Sequence, residues 1–494
     1  MKIALKTIGA GWDSIFLSIV KLITTVTVII NTKILSLGLS LIDYGTYSQA
    51  NLIISISTSV LLFGLGDALS YYYNGSNIKN IDKDRIVNTI YFIEIIIGLL
   101  IAGIIIFGRY YIAKYFSNTY LLNVIILLAF IPIMNNILYF YQILYISNRQ
   151  AKFISMRNLF VSIIMIIITY VSVFIIKNII TIFIASLILQ ILQILYFTFS
   201  FKKKYFLINI FRIDIKQIKN IFSYSIPMGV YAFTNYLLRD IDKLVIGKLE
   251  NTKVLAIYTN CSKILPFDLV AVSLSTVLIP YIMKYVSNKD YENSIKLFSQ
   301  YLKIGYYSVL PLGFAVLTNP KLIINILYTS EYVVGERVFI FYIIDSMIRF
   351  SSIHLIISAA RKIKTLYIYS FIALALNLVL DLVLYRIIGM EGPAVATLIV
   401  SIMYTSAILK TTKNIINANW KDIFYYKDII RFMSFMLVIF SVMKYASKIM
   451  LSSGVNSYIV LFSTIIIELV LNIIWNYKDI KESFKIINNL KIYV

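Results

Sequence analysis

Apolar residues occur along the chain in long runs, and short polar or charged segments separate each run from the next. An α-helix needs about 20 consecutive apolar residues to cross the hydrocarbon core of a bilayer. The pattern therefore predicts fourteen membrane-spanning helices. They cover residues 13–36, 47–70, 88–108, 120–144, 158–177, 180–200, 222–246, 254–283, 298–319, 337–359, 366–386, 393–411, 430–447 and 456–477. The first run is too long for the apolar core of a signal peptide, so we expect a span rather than a cleaved leader.

Composition supports this interpretation. Of the 494 residues, 60% are apolar and 14% are charged, whereas a soluble domain has roughly 45–50% apolar and about 25% charged residues. These values exclude an ordinary cytosolic enzyme, a secreted disulfide scaffold and a disordered binding protein. Cys261 and His354 are the only residues of their types, so the sequence has no disulfide framework and no cluster of Cys and His for a metal. We expect an all-α integral membrane protein without a cofactor.

Lys and Arg are unequally distributed between the segments on the two sides of the predicted spans. The sequence has 46 Lys and Arg against 23 Asp and Glu, a formal net charge of +23. With the N-terminus inside, the cytoplasmic segments hold 29 of the basic residues and the opposite segments hold 12. Because positive residues are retained on the cytoplasmic side, this bias predicts that both termini are cytoplasmic. It also explains the basic charge without a nucleic-acid partner.

An internal repeat is visible at one offset of 211–212 residues. It relates Arg149–Lys152 to Arg361–Lys364, Ala185–Ile188 to Ala396–Ile399, and Gly45–Tyr47 to Ala256–Tyr258. Three matches at one spacing predict two lobes of six helices each. Since six is even, both lobes enter the membrane from the same side and the repeat is parallel.

These matches divide the chain into four parts. They are an N-lobe (1–200, helices 1–6), a basic cytoplasmic interfacial linker (201–221), a C-lobe (222–412, helices 7–12), and helices 13–14 with a cytoplasmic tail (413–494). In the linker, basic residues alternate with Ile and Phe, which is typical of an amphipathic helix on anionic lipid. A basic loop that only fixes the topology is the alternative.

Short motifs then follow in a fixed order over residues 13–412. They are Leu37-Gly38, Asp43-Tyr44-Gly45-Thr46-Tyr47, Ser225-Ile226-Pro227, Asp242–Gly247, Ala256–Tyr258, Glu331-Tyr332, Asn377–Asp381 and Gly389–Gly392 ahead of Ala394–Ala396. With fourteen predicted spans, this string resembles the Wzx-type polysaccharide repeat-unit flippases for O-antigen and capsule, within the multidrug/oligosaccharidyl-lipid/polysaccharide (MOP) exporter superfamily. Asp381 is a departure, since the family usually carries a small polar or apolar residue there.

The resemblance implies a MATE/MOP-like fold in a bacterial cytoplasmic (inner) membrane. It implies a flippase that moves undecaprenyl-pyrophosphate-linked oligosaccharide repeat units across that membrane by alternating access, for surface polysaccharide biosynthesis. Membrane lipids surround such a protein, and polysaccharide polymerase and chain-length proteins are the implied protein partners.

Two other functions are weighed against this one. The sequence has no nucleotide-binding motif and no cluster of catalytic groups, so energy must come from outside the chain and we expect no enzymatic activity. A cation-coupled drug exporter of the same superfamily requires acidic rather than basic cavity residues. A membrane-embedded polymerase or ligase typically carries a large outer loop, whereas the longest predicted outer segment, 320–336, has 17 residues.

Three basic residues at membrane depth are the predicted substrate ligands, because a charge in the membrane faces a cavity or a partner rather than lipid. They are Lys21, Lys263 and Arg239. A predicted kink at Pro266 beside Lys263 supports its role as an anion ligand. Each of the three has an alternative: Lys21 extends to the headgroups, Lys263 pairs with Asp268, and Arg239 belongs to a solvated helix end.

Three acidic residues are the predicted ion-coupling sites, Asp240, Asp242 and Glu94. For Asp240 the alternative is neutralisation by Arg239 and Lys243 at the same helix end. Asp345 and Arg349 have the favourable i,i+4 order, so we expect them to be a structural ion pair.

Overall fold

The computed structural model describes residues 2–62, 64–74, 80–263, 267, 269–352 and 354–492, and all regular secondary structure in these residues is helical. The chain forms two compact units, unit 1 (Met1–Ala256) and unit 2 (Ile257–Val494). This division follows contacts and lies beyond the predicted linker, so the four parts defined by the repeat stay a prediction.

Unit 1 is built from ten helices within the described residues. They are α1 (Lys2–Gly38), α2 (Leu41–Leu62), α3 (Leu65–Asn74), α4 (Asn80–Phe107), α5 (Arg109–Tyr115), α6 (Leu121–Leu128), α7 (Ile131–Ser147), α8 (Ala151–Tyr170), α9 (Ile179–Lys204) and α10 (Ile215–Leu249). A π-helical turn, Val171–Ile176, continues α8. The next helix, α11 (Thr252–Cys261), contains the division between the units.

Unit 2 continues with ten helices in its described part. They are α12 (Leu269–Ser287), α13 (Tyr291–Thr318), α14 (Pro320–Leu327), α15 (Glu336–Arg349), α16 (Leu355–Ala359), α17 (Ile363–Ile388), α18 (Gly392–Ile415), α19 (Trp420–Ile423), α20 (Tyr426–Ser452) and α21 (Ser457–Ile492). Short 3₁₀ turns occupy Ser330–Gly335 and Gly389–Glu391. The predicted outer segment 320–336 is therefore largely helical.

In the described part of the chain, every predicted span falls mainly on one helix or on two consecutive helices. Within the described residues, eight helical segments are long and apolar enough to cross a membrane, or up to ten if each of two bent pairs is one span. One of these segments, Ile363–Ile415, consists of two helices that pack against each other, α17 and α18. The protein is thus an all-helical, multi-pass membrane protein, and the number fourteen stays a prediction.

The predicted amphipathic helix of the linker is wrong. Lys202, Lys203 and Lys204 form the last turn of α9, and residues 205–214 are irregular. Asp214 then caps α10, because its side chain accepts a hydrogen bond from the backbone N–H of Lys216 at 3.0 Å. The alternating Ile residues that suggested one continuous amphipathic face are therefore divided between a loop and the start of a helix.

Two corresponding positions of the repeat have the same backbone conformation. Arg149 and Arg361 are left-handed, with φ of 61° and 57°, and each lies two residues before a helix. The N–H of the next residue bonds the carbonyl five residues back in both places, which is the Schellman helix end. Lys289 ends α12 in the same way, so the geometry agrees with the repeat but is not unique to it.

The Tyr44–Tyr47 motif lies in the core of unit 1. Tyr44 is buried with Leu35, Val173, Ile182 and Ala256. A Cβ atom on Gly45 would lie 2.0 Å from the Thr252 carbonyl oxygen, so the glycine permits the close approach of α2 and α11. The motif therefore fixes packing inside unit 1.

Candidate functional site

A cavity of about 600 Å³ opens in unit 1 among α2, α7, α8 and α9. Its polar lining is dominated by side-chain amides, and we call it the amide cavity. The amides belong to Asn51, Asn135, Asn136, Gln142, Gln190 and Gln193. An amide both donates and accepts hydrogen bonds, so this wall suits a ligand with many hydroxyl or carbonyl groups.

Several of these amides have unused hydrogen-bonding capacity. Gln190 donates to the Asn135 carbonyl oxygen at 3.0 Å, while its own carbonyl oxygen has no hydrogen-bond partner among the described residues. Neither polar atom of the buried Asn136 side chain has one either. Because buried polar atoms are nearly always satisfied in native proteins, these groups indicate a site that a ligand or water completes.

Arg157 supplies the positive charge of the amide cavity. It lies in the second turn of α8, where its guanidinium donates to the Gln193 carbonyl oxygen and, at 2.8 Å, to that of Asn158. The guanidinium carbon lies 5.2 Å from the ring centroid of Phe197. Its Nε is buried without a hydrogen-bond partner, and no carboxylate in the described part of the chain lies within 4 Å. An arginine held by neutral groups alone is prepared for an anionic ligand.

Aromatic rings form another part of the wall. Tyr47 stacks on Phe183, with ring centroids 5.6 Å apart and an angle of 29° between the planes. Tyr139 and Tyr236 also line the cavity. Aromatic faces beside amides offer an apolar surface next to hydrogen-bonding groups.

Lys21 lines a second cavity of about 460 Å³ in the same unit. Its side chain is exposed, and Thr24, Ser155 and Asn158 lie on the same wall. Gln142 lines both cavities, and Asn158 contacts Arg157 in one and lines the other. The two basic groups therefore lie on either side of a shared polar wall.

Arg239, Asp240 and Lys243 are close together on α10. Asp240 lies 2.7 Å from Lys243 Nζ and 3.9 Å from an Arg239 nitrogen. It also accepts a hydrogen bond of 3.4 Å from Ser55. The Arg239 side chain is 48% exposed and lies over the ring of Tyr236, which lines the amide cavity. These contacts favour the neutralisation alternative for Asp240 and bring Arg239 next to the cavity through a tyrosine.

Glu94 and Asp242 are both buried in unit 1. Glu94 lies on α4, and its Oε2 has no hydrogen-bond partner among the described residues. Asp242 lies two residues beyond Asp240 on α10. Within the described residues, no three Asp, Glu, His or Cys side chains are grouped to hold a metal ion.

Lys263 belongs to unit 2. Its Nζ donates to the Asn260 carbonyl oxygen at 2.8 Å and lies 6.0 Å from the ring centroid of Tyr328. Tyr328 in turn donates to the backbone carbonyl of Asn260 at 2.9 Å. Pro266 and Asp268, which carry the predicted kink and the alternative ion pair, lie outside the described residues.

Sequence reasoning missed the amide cavity and Arg157. It assigned Arg157 to the cytoplasmic loop 145–157, whereas the structure begins α8 at Ala151. The available signal was the spacing of amides in apolar runs: Asn135 and Gln142 are seven apart, and Gln190 and Gln193 are three apart. Both spacings place two amides on one helix face.

Residues 35–335, more than half of the chain, match the family model described as polysaccharide biosynthesis protein. No curated protein sequence matches the chain significantly.

Solved structures with the same fold are transporters. The lipid II flippase MurJ in its inward closed conformation is 17% identical with a TM-score of 0.74, covering 94% of this chain and 100% of that chain. An inward-facing multidrug resistance MATE family transporter of the MOP superfamily is 9% identical with a TM-score of 0.65, covering 80% and 94%. The MATE transporter VcmN of Vibrio cholerae in its bent form is 13% identical with a TM-score of 0.56, covering 82% and 95%.

Proposed function

Because the chain belongs to the polysaccharide biosynthesis protein family and has a MurJ/MATE-like fold, we propose that it is a flippase for polysaccharide assembly. Its substrate is an undecaprenyl-pyrophosphate-linked oligosaccharide repeat unit, moved by alternating access between two lobes of six helices with fourteen spans in all. Its location is the bacterial cytoplasmic membrane, with both termini cytoplasmic. Polymerase and chain-length proteins act on its product.

The observation that carries this proposal is the pairing of an uncompensated Arg157 with an amide-lined wall. A lipid-linked oligosaccharide presents anionic groups beside many hydroxyls, and the amide cavity offers ligands for both. A multidrug cation finds the wrong charge there. Lys21, across the shared wall, supplies a second cation for the pyrophosphate.

Lys263 and Arg239 complete the proposed substrate ligands. Lys263 is proposed because it places a positive charge beside the Asn260 amide and the Tyr328 ring. Arg239 lies beside Tyr236 with half of its side chain exposed. Glu94, Asp240 and Asp242 are the three acidic residues proposed for ion coupling, and Glu94 is more suitable than Asp240 because Asp240 is in contact with Lys243.

The test is flipping of a fluorescent polyprenyl-pyrophosphate-linked oligosaccharide in proteoliposomes. Arg157→Gln should weaken substrate affinity about 10- to 100-fold, the equivalent of roughly 1.5–3 kcal/mol for hydrogen bonds to a charged group. Arg157→Lys should keep part of it, since the charge remains and the planar fork is lost. The matched control is Arg109→Gln, which removes an arginine outside both cavities.

Two results would contradict the proposal. Undiminished affinity in the Arg157→Gln, Lys21→Gln double variant would remove the anion site from unit 1. Transport of organic cations by the unmodified protein, without transport of the lipid-linked oligosaccharide, would favour the exporter alternative.

A further inference from the structure

The last helix, α21, has a continuous polar face that is buried except at Asp479, whose side chain is 21% exposed. Its polar residues recur every three or four positions, which places them on one side of a helix. Apolar residues such as Ile466, Ile474 and Trp475 are exposed on the opposite side. The polar face consists of Thr464, Glu468, Asn472, Asn476, Asp479 and Ser483. These residues extend over 19 positions, about 28 Å of helix, which is close to the thickness of the hydrocarbon core.

Charges are balanced at one end of this face. Lys303 on α13 lies 2.6 Å from Asp428 and 3.6 Å from Asp479, and Arg431 on α20 lies 2.5 Å from Asp479. Two acids and two bases therefore join three helices. With the C-terminal tail inside, as the charge bias predicts, this cluster lies at the cytoplasmic end.

Amides continue the polar face toward the membrane interior. Asn476 donates to the Asn472 carbonyl oxygen at 2.8 Å, and Asn472 donates to the backbone carbonyl of Tyr307 at 3.2 Å. The carbonyl oxygen of Asn476 has no hydrogen-bond partner among the described residues. Polar side chains thus occupy the face of α21 between the charge cluster and the next acid.

That next acid, Glu468, has no compensating charge among the described residues. The residue is 0% exposed, and its Oε1 accepts a hydrogen bond from Thr318 at 2.7 Å. Its Oε2 has no hydrogen-bond partner, and no cation in the described part of the chain lies within 4 Å. Eleven positions, about 16 Å of helix, separate Glu468 from Asp479.

Titratable groups on the helices packed against α21 do not supply that charge within the described residues. Lys444 and Lys448 of α20, which flank Ser447 in the sequence, are exposed. Lys303 and Tyr307 of α13, and Asp428 and Arg431 of α20, belong to the charged end of the polar face. Lys321 of α14 is 67% exposed and pairs with Glu336 at 3.5 Å. The neighbours of Glu468 are instead neutral: Thr318, Asn319, Ser447 and Thr464 form their own hydrogen bonds beside it.

We propose that Glu468 is a proton-binding site inside the membrane, reached along the polar face of α21 from the end that carries Asp479. A neutral carboxylic acid fits the site, because one oxygen accepts from Thr318 and the other carries the proton. Loading forms one O–H bond at Oε2, and unloading returns the same proton to water. The proposal that Glu468 binds a proton depends only on contacts within unit 2. The further step, that this proton drives transport, rests on the proposed function.

Infrared difference spectroscopy during a pH titration tests proton binding without any transport substrate. The carbonyl stretch of a protonated carboxylic acid should be present in the unmodified protein and absent in Glu468→Gln. Thr318→Val removes the hydrogen-bond donor but keeps the acid, so it should shift the frequency of the band. The matched control is Asp345→Asn, which removes an acid with 1% side-chain exposure that pairs with Arg349 and should leave the band unchanged. A band that persists unshifted in both Glu468→Gln and Thr318→Val would overturn the site.

Flipping in proteoliposomes with an imposed pH gradient tests the coupling. The gradient should accelerate flipping several-fold in the unmodified protein and have no effect in Glu468→Gln. Equal acceleration in both, or acceleration by a Na⁺ gradient alone, would overturn the role in coupling while the infrared result still decides proton binding. Absence of flipping under all conditions, with the infrared band intact, would contradict the proposed function and leave the proton site standing.

Discussion

At the scale of single residues, the presence of an oppositely charged neighbour distinguishes structural charges from charges that are available to a ligand. Asp345 and Arg349 form the predicted i,i+4 pair, which is confirmed. Lys303 is buried, and its charge is balanced by contact with Asp428. Arg157 is half-buried, its Nε atom is buried, and it has no acidic neighbour within 4 Å among the described residues. Since an uncompensated charge at membrane depth is costly, Arg157 is the residue whose position most requires a ligand.

Asp240 provides a test of the same distinction. Its carboxylate and the Lys243 ammonium are 2.7 Å apart, and both side chains are only 12–13% exposed. Asp240→Asn should lower stability by about 3 kcal/mol, because removing one partner of a buried pair leaves the other charge unpaired. Adding Lys243→Met should restore most of the loss, as measured by thermal unfolding in detergent.

The outcome with Arg239 separates pairing from ion coupling. Adding Arg239→Gln instead should restore little, since that guanidinium is 3.9 Å away and half exposed. The opposite result is that Asp240→Asn unfolds at the same temperature as the unmodified protein but abolishes flipping, with or without Lys243→Met. In that case Asp240 is an ion-coupling residue and the structural interpretation is wrong.

At the scale of elements, apolar runs located the helices well because lipid requires a long apolar surface and internal backbone hydrogen bonds. The break at Lys177-Asn178 is confirmed, with a left-handed Lys177 and Asn178 capping α9. The linker was predicted wrongly because periodic Ile and Lys residues do not show where a helix ends. The amide cavity was missed because its residues come from several helices, and pairing across helices is not visible in one sequence.

Packing of α2 depends on Gly45. A Cβ atom there would lie 2.0 Å from the Thr252 carbonyl oxygen and 2.6 Å from its side chain. Gly45→Ala should therefore lower stability by about 1–3 kcal/mol, the usual cost of overpacking, and reduce the folded fraction on gel filtration. Gly103→Ala is the matched control, because a Cβ there meets only Phe107 at 4.0 Å.

The two glycines should respond in opposite directions. Gly103 lies inside α4, where alanine raises helix stability by roughly 0.5–1 kcal/mol. If Gly45→Ala and Gly103→Ala left stability and the folded fraction equally unchanged, α2 would not be packed closely against Thr252 at Gly45.

At the scale of the whole molecule, the resemblance to polysaccharide flippases is confirmed at the level of the family and fold. One motif of the string, at Gly45, coincides with a close contact in the structure, because a Cβ atom there would lie 2.0 Å from the Thr252 carbonyl oxygen. The substrate ligands and the ion ligands could not be predicted in the same way, because the pairing of charges depends on which helices pack against each other. One sequence does not show that packing.

Orientation decides the direction of transport, and the charge bias predicts it. The predicted segments hold 29 basic residues inside against 12 outside. Single cysteines test it with little background, since the native Cys261 is buried. Ile210→Cys lies in the loop between α9 and α10, Ser330→Cys follows α14, and Glu482→Cys is near the end of α21.

A membrane-impermeant maleimide should label Ser330→Cys in intact bacterial cells. It should label Ile210→Cys and Glu482→Cys only after the membrane is opened, because Lys and Arg hold those segments inside. Ser330→Cys, in a segment with few basic residues, serves as the control for labelling from outside. Labelling of Ile210→Cys in intact cells would show that the orientation is the reverse of the predicted one. The charge cluster around Asp479 would then face outward, and the proton path to Glu468 would open from the opposite side.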